Sequence, residues 1–144
     1  MVMRWDMRVG PERRSARIPK PYHSTLFTLR RMEDNPNDTL FVFTNAPDRT
    51  IAMRIAQTLV DERLAACVNV LGECTSVYRW EGTVETAQEL PMIIKTRTAR
   101  YAEVEAVIRR LHPYELPEIL AVPVVQGLSE YLEWVSGETA IPIG

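Results

Sequence analysis

The sequence has too few cysteines for a disulfide framework and no apolar run long enough for a membrane span. Its two cysteines, Cys67 and Cys74, form no C-x-x-C pair, so we expect reduced thiols. No stretch reaches the roughly 18 consecutive apolar residues that a transmembrane helix needs. The arginine-rich start lacks the apolar core of a secretory signal, which makes the cytoplasm the expected location.

Signals for nucleic-acid binding and for common catalytic sites are also missing. Residues 39–144 hold nine Lys or Arg against fourteen Asp or Glu, and this acidic balance argues against phosphate-backbone binding. The sequence has no glycine-rich phosphate loop, no Gly-x-Ser-x-Gly elbow and no nucleophile-base-orienter trio. We therefore expect no nucleic-acid or membrane partner, no organic cofactor and no enzymatic activity.

The length and composition fit one ordinary globular domain. Of 144 residues, 46% are hydrophobic and 25% are charged, which is enough to bury a core. Residues 1–38 carry four prolines and scattered arginines without a sustained period, so an irregular and mobile arm is predicted there. The folded domain is predicted to span residues 39–144.

Within that domain the hydrophobic spacing alternates between strand and helix periods. It predicts a strand at 40–44, a helix at 47–64, a long strand at 67–80 bent at Gly72, a return strand at 83–96, a helix at 101–111, a buried strand at 119–125 and a terminal helix from Leu128. This order predicts a ferredoxin-like α+β sandwich, in which an antiparallel sheet carries helices on one face. Within the strand at 119–125, Pro123 indicates an edge position or a bulge.

Turn and cap residues refine this prediction. Pro47 suits the first turn of the first helix with Asp48 at its positive end, and Thr98 is placed to cap the second helix. Glu81 and Gly82 supply the tight turn of a hairpin longer than one helix layer can cover. We expect that hairpin to pair with another subunit, because free strand edges invite association.

One stretch, residues 112–119 (HPYELPEI), concentrates chemically useful side chains between a helix and a strand. Its two prolines restrict the backbone, so the preceding helix must stop near His112 and the loop is predicted to be stiff. A stiff loop presents its side chains at defined angles, which favours binding.

Three kinds of chemistry are open from the residues alone. His112, Cys67 and Glu115 could ligate copper or zinc, since imidazole and thiolate suit these ions. Alternatively, His112, Tyr114 and Glu115 could carry protons, with Lys95 either of depressed pKa or paired with Glu115 or Glu118. A third possibility is a small-ligand pocket or a subunit interface lined by aromatic residues, namely Tyr78, Trp80, Tyr131 and Trp134.

Five motifs occur in the order and spacing of a known family. They are residues 65–70 (AACVNV), 76–82 (SVYRWEG), 94–96 (IKT), 112–119 (HPYELPEI) and 131–134 (YLEW). On these motifs the sequence resembles the CutA divalent-cation tolerance family over about residues 40–137. The resemblance implies a trimer similar to PII signal proteins, with long hairpins exchanged between subunits and no established catalytic activity.

The resemblance also implies a role in tolerance of divalent metals, copper above all. The family's clustered motif residues correspond here to Cys67, Tyr78, Trp80, Lys95, His112, Tyr114, Glu115, Glu118, Tyr131 and Trp134, near the clefts between subunits. The copper site described for some members uses a cysteine ending the first strand and a His-His pair before Pro-Tyr. Here those positions are Thr44 and Leu111-His112, so only His112 remains.

The sequence therefore predicts a cytoplasmic homotrimer that binds a divalent cation or small ligand at clefts between subunits. His112 is the predicted metal ligand, with Glu115 and Cys67 as helpers, and Lys95 and Glu118 set the electrostatics of the cleft. The alternative is a PII-like signalling or interaction protein without a physiological metal site, whose protein partner is unknown.

Overall fold

Nine secondary-structure elements follow one another in residues 35–143, the part of the chain that the computed structural model describes. They are β1 (Thr39–Ala46), α1 (Arg49–Asp61), β2 (Cys67–Val70), β3 (Cys74–Trp80), β4 (Thr83–Arg97), a 3-10 turn (Thr98–Arg100), α2 (Tyr101–Leu111), β5 (Leu120–Pro123) and α3 (Ser129–Glu138). Of the predicted N-terminal arm, residues 1–34 lie outside the described range. Every helix within that range falls short of the length and apolar character that a membrane crossing needs.

The strands form an antiparallel sheet in the order β2-β4-β1-β5, with β3 paired to the outer part of β4. Strand β4 is long because its two halves have different partners. Its first half pairs with β3 from Thr83 to Glu89, and its second half pairs with β1 from Leu90 to Arg97. The alternation of strands and helices together with this order confirms the predicted ferredoxin-like α+β fold.

Helices α1 and α2 cover one face of the sheet, which we call the helix-covered face. Side chains at alternate positions of β1 and β4 project from this face of the sheet. They pack against the buried side chains of α1 and α2, and together these residues form the core. The fully buried members include Val42, Ile55, Leu59, Met92, Ile94, Val104 and Ile108. Thr44 also points into this core, and its buried hydroxyl has no hydrogen-bond partner among the described residues.

Helix α3 packs against the opposite face, which we call the second face, and contacts β4 and β1. Val135 of α3 is buried. The Arg97 guanidinium donates two hydrogen bonds to the carbonyl of Thr139, at 3.0 and 3.3 Å. Arg97 also donates to the Asn37 side chain at 2.7 Å. Arg97 therefore ties both the end of α3 and the segment before β1 to the sheet.

The predicted strand at 67–80 is divided into β2 and β3. The two strands pair with β4 in registers that differ by one residue, and residues 71–73 take up the difference. The bend expected at Gly72 thus falls between two strands. This break separates β2, which lies in the main sheet, from an outer hairpin. The outer hairpin is formed by β3 and residues 83–89 of β4.

The helix starts differ from the prediction in both cases. Asp48 is the N-cap of α1 and accepts the Ile51 N–H at 2.8 Å, so Pro47 precedes the cap and is not in the first turn. The predicted cap at Thr98 is wrong, because α2 begins at Tyr101 without a side-chain cap. The Thr98 N–H instead donates at 2.9 Å to the carbonyl of Asp38, the residue just before β1.

The last strand is shorter and more exposed than predicted. Residues 119–125 were expected to be buried, but β5 spans only Leu120–Pro123 and all four of its residues are exposed. It pairs with β1 on one side and its other edge is open within the described chain. Pro123 fits such an edge position, since proline has no N–H to donate to a neighbouring strand.

Candidate functional site

The loop between α2 and β5, residues 112–119, turns a sharp corner beside the end of β1; we call it the corner loop. Helix α2 ends at Leu111 and His112 already has an extended backbone, as the following proline requires. His112 is 6% exposed, whereas Glu115 and Glu118 are exposed. The loop therefore buries its histidine and presents its carboxylates outward.

Both ring nitrogens of His112 are engaged inside the chain. Nδ1 accepts the N–H of Tyr114 at 3.1 Å, and Nε2 lies 2.7 Å from the carbonyl oxygen of Asn45. A carbonyl oxygen accepts and an amide N–H donates, so these partners fix the neutral tautomer that carries its proton on Nε2.

Asn45 makes a second connection to the corner loop. Its Nδ2 donates to the Glu118 carboxylate at 2.7 Å, so one residue at the end of β1 holds both ends of the loop. The sequence offered only one signal for Asn45, its place before Pro47 at a helix start. Its partners lie 67 and 73 residues away, and no local pattern identifies contacts of that separation.

Two tyrosines, Tyr114 of the corner loop and Tyr78 of β3, lie in a negative environment. The Tyr114 ring packs against the His112 ring at 4.6 Å between centroids, and Tyr78 of β3 donates to Glu85 of β4 at 3.2 Å. Burial raises the Tyr114 pKa to about 12, with further contributions from the charges of Glu89 and Asp48. The Tyr78 pKa is also raised to about 12, by burial and by its bond to Glu85.

These pKa shifts predict alkaline destabilisation. The folded chain keeps the Tyr114 proton at pH values where the unfolded chain has lost it. The contribution to stability is therefore complete below the ordinary pKa of 10.0 and is lost as pH rises towards 12. Denaturant titrations between these pH values should show a shallower loss of stability in Tyr114→Phe than in the wild type, with Tyr131→Phe as matched control. Equal slopes in the wild type and Tyr114→Phe would contradict the assignment.

A second group of predicted residues lies on the second face of the sheet. The Lys95 ammonium is 5.9 Å from the centre of the Phe41 ring and 5.6 Å from that of Tyr131. Tyr131 in turn packs against Trp134 of the same helix at 5.5 Å. This arrangement stabilises the cation by ring contacts, each worth about 0.5–2 kcal/mol. Sequence reasoning missed Phe41, although it stands on the predicted central strand.

The predicted pairing of Lys95 with a corner-loop carboxylate does not occur within the described chain. Glu118 accepts from Asn45, and Lys95 stands over aromatic rings. Trp80, another predicted residue of the cleft, lies at the tip of the outer hairpin, opposite Thr83.

The three predicted metal ligands are not assembled within one chain. Cys67 pairs with Lys95 on β4, whereas Asn45, the partner of His112, pairs with Pro91. Four strand residues separate these two rows, a distance of about 13 Å along the sheet. Among residues 35–143, no three His, Cys, Asp or Glu side chains are grouped so that they could hold a metal ion. For an assembly of several chains, these ligands stay a prediction.

Comparison with known proteins identifies relatives of this arrangement. Residues 40–138 match the family model described as CutA1 divalent ion tolerance protein. The chain is 44% identical over 98 residues to the divalent-cation tolerance protein CutA of Thermus thermophilus, covering 68% of this chain and 95% of the relative. It is 40% identical over 100 residues to human protein CutA, covering 69% of this chain but only 56% of the human protein.

Solved structures with folds similar to that of this chain are also CutA proteins. The crystal structure of CutA from Xylella fastidiosa superposes with a TM-score of 0.70 at 44% sequence identity. The superposition covers 72% of this chain and 99% of that structure.

Proposed function

The chain belongs to the CutA1 divalent ion tolerance family, and we propose that it acts as a homotrimer whose clefts between copies bind a divalent cation. The observation that carries this proposal is the corner loop, which exposes the carboxylates of Glu115 and Glu118. Its Tyr114 lies near Tyr78 of the outer hairpin, whose Val77 and Val84 are exposed in a single chain. The proposal assigns no catalytic reaction. The cytoplasmic location expected from the sequence also stays a proposal.

The outer hairpin supports assembly. Its two strands pair with each other, and Val77 and Val84, which are 67% and 58% exposed, lie on the same face of the ribbon. A two-stranded ribbon alone is marginally stable in water, so a partner surface is expected to cover it.

The other side of the sheet supports assembly as well. Strand β5 leaves an open edge, and its side chains Leu120 and Val122 stand exposed in line with Phe43 and Phe41 on the second face. A hairpin at one end and an open apolar edge at the other are different surfaces. Contacts between unlike surfaces of identical chains form a closed ring when the rotation between neighbours closes, and a three-membered ring is the case that the family resemblance implies.

The electrostatics of the corner support a cation as ligand. Glu85, Glu89 and Asp48 are close enough to raise the pKa of Tyr78 or Tyr114, so negative charge gathers there. Glu115 adds an exposed carboxylate from the corner loop. Carboxylate oxygens suit hard divalent ions better than copper, which prefers imidazole and thiolate. Because one described chain groups no three ligands, we infer that a second copy completes the site.

Calorimetric titration of metal-stripped protein with Mg(II), Zn(II) and Cu(II) tests the proposal. Glu115→Gln should weaken uptake of the bound ion, by about tenfold or more for loss of one charged ligand. Glu62→Gln, which neutralises an exposed carboxylate at the end of α1, is the matched control and should bind like the wild type. No uptake of any ion by the assembled protein, or equal uptake by all three proteins, would refute it.

A PII-like interaction protein without a metal site is the alternative. The second face favours it, because α3 exposes Trp134 beside Tyr131, and aromatic residues of this kind anchor protein partners. A pull-down that returns one stoichiometric partner, lost in Trp134→Ala, together with absent cation uptake, would favour this function.

A further inference from the structure

We propose that His112 is a positioning residue that fastens the corner loop to β1, and that its imidazole is not a ligand of any divalent cation the protein binds. This departs from the sequence-based expectation, in which His112 was the metal ligand. The inference concerns the chain's own hydrogen bonds and holds whether or not a cation binds.

The first step is the occupancy of the ring. Metals bind neutral imidazole through the nitrogen that carries no proton. In His112 that nitrogen is Nδ1, and it already accepts the Tyr114 N–H at 3.1 Å. A cation at Nδ1 would displace this bond and leave the amide without its acceptor, which is more costly than the bond itself is favourable.

The other nitrogen is equally committed. Nε2 lies 2.7 Å from the Asn45 carbonyl oxygen, so it carries the proton. A metal there would require the opposite tautomer, which places a proton on Nδ1 facing the Tyr114 N–H. Both hydrogen bonds would then be lost together. With the ring 6% exposed, little water is available to replace them.

The second step is what the ring holds in place. The Asn45 carbonyl accepts the Nε2–H of His112, and the Asn45 side-chain amide donates to the Glu118 carboxylate. The segment from His112 to Glu118 is therefore fixed at both ends. Tyr114 lies inside that segment, with its amide bonded to Nδ1 and its ring against the imidazole. His112 thereby sets where the Tyr114 phenol stands relative to Glu89.

The tautomer is directly measurable in the assembled protein. His23 is the other histidine of the chain, so a His23→Gln background leaves one imidazole to observe. Long-range ¹⁵N–¹H correlation spectra should show the ring proton on Nε2 of His112, before and after addition of the diamagnetic ion Zn(II). A proton on Nδ1, loss of the Nε2 proton when Zn(II) is added, or a large change in the ¹⁵N shift of Nδ1 when Zn(II) is added would each overturn the proposal.

Two conservative variants separate the two hydrogen bonds. Asparagine at 112 can offer an oxygen near the place of Nδ1, whereas glutamine can offer an N–H near the place of Nε2. Exchange of the Tyr114 amide should therefore be roughly three- to tenfold faster in His112→Gln than in the wild type, for one lost bond, and should be restored in His112→Asn. Equal exchange in His112→Gln and the wild type would contradict the proposal.

Cation titration of the same variants completes the test. His112→Asn should take up Zn(II) with the affinity of the wild type. If this variant keeps slow exchange of the Tyr114 amide but binds Zn(II) tenfold more weakly, His112 is a ligand and the proposal is wrong. If no protein takes up Zn(II), the cation site fails, while the tautomer and exchange results still decide the role of His112.

Discussion

Introducing charge on the exposed face of the outer hairpin should dissociate the assembly. Val77→Asp with Val84→Asp places two carboxylates where a partner copy is proposed to cover apolar side chains. Burying a carboxylate without a counter-charge costs several kcal/mol, which exceeds what one hairpin contact contributes. We therefore expect the mass in light scattering at micromolar concentration to fall from that of the proposed trimer to that of a single chain.

The matched control is Met53→Asp with Val60→Asp, which adds the same two charges at exposed apolar positions of α1 on the helix-covered side. It should leave the mass unchanged. The hairpin variant should also lose cation uptake, since the proposed site needs a second copy. A hairpin variant that stays trimeric would show that the ribbon is not the contact surface.

Truncating Leu59 should lower the free energy of unfolding by about 2–5 kcal/mol. Leu59 lies on the inner side of α1 at 0% exposure, within the core formed by both helices and the sheet. Leu59→Ala removes buried methyl groups and leaves a cavity that packed neighbours fill only in part. Denaturant unfolding at a fixed protein concentration measures the loss.

The next residue of the same helix supplies the control. Val60 is 40% exposed, so Val60→Ala should change the free energy of unfolding by less than about 1 kcal/mol. Because assembly contributes to stability, both variants are compared at equal concentration and with their masses checked. Equal effects of the two substitutions would mean that α1 does not pack as described.

The elements with a strong local pattern were predictable from the sequence. A short apolar run rich in strand-forming residues identified the central strand β1, and residues Glu81 and Gly82 identified the hairpin turn, where both have positive φ, 46° and 82°. The stop of α2 before His112 followed from Pro113. In each case the deciding interaction lies within a few residues of chain.

Features set by tertiary packing were not predictable in the same way. An apolar run is expected to be buried, but Leu120 is exposed on β5, an edge strand that pairs only with β1 within residues 35–143. Cys67 and His112 share a family motif set, yet Cys67 lies opposite Lys95 in the sheet, whereas His112 lies in the corner loop and contacts Asn45, which is opposite Pro91. The role of Asn45 depends on bonds to residues far along the chain, so only the folded structure reveals it.

Analytical ultracentrifugation of the unmodified protein tests the central claim most directly, because the proposed cation site requires more than one copy. A single species of three times the 16.5 kDa chain mass, unchanged on dilution through the micromolar range, is the predicted result. A species with the mass of one chain over that range would contradict it, since the hairpin, the edge of β5 and the corner loop would then all face solvent.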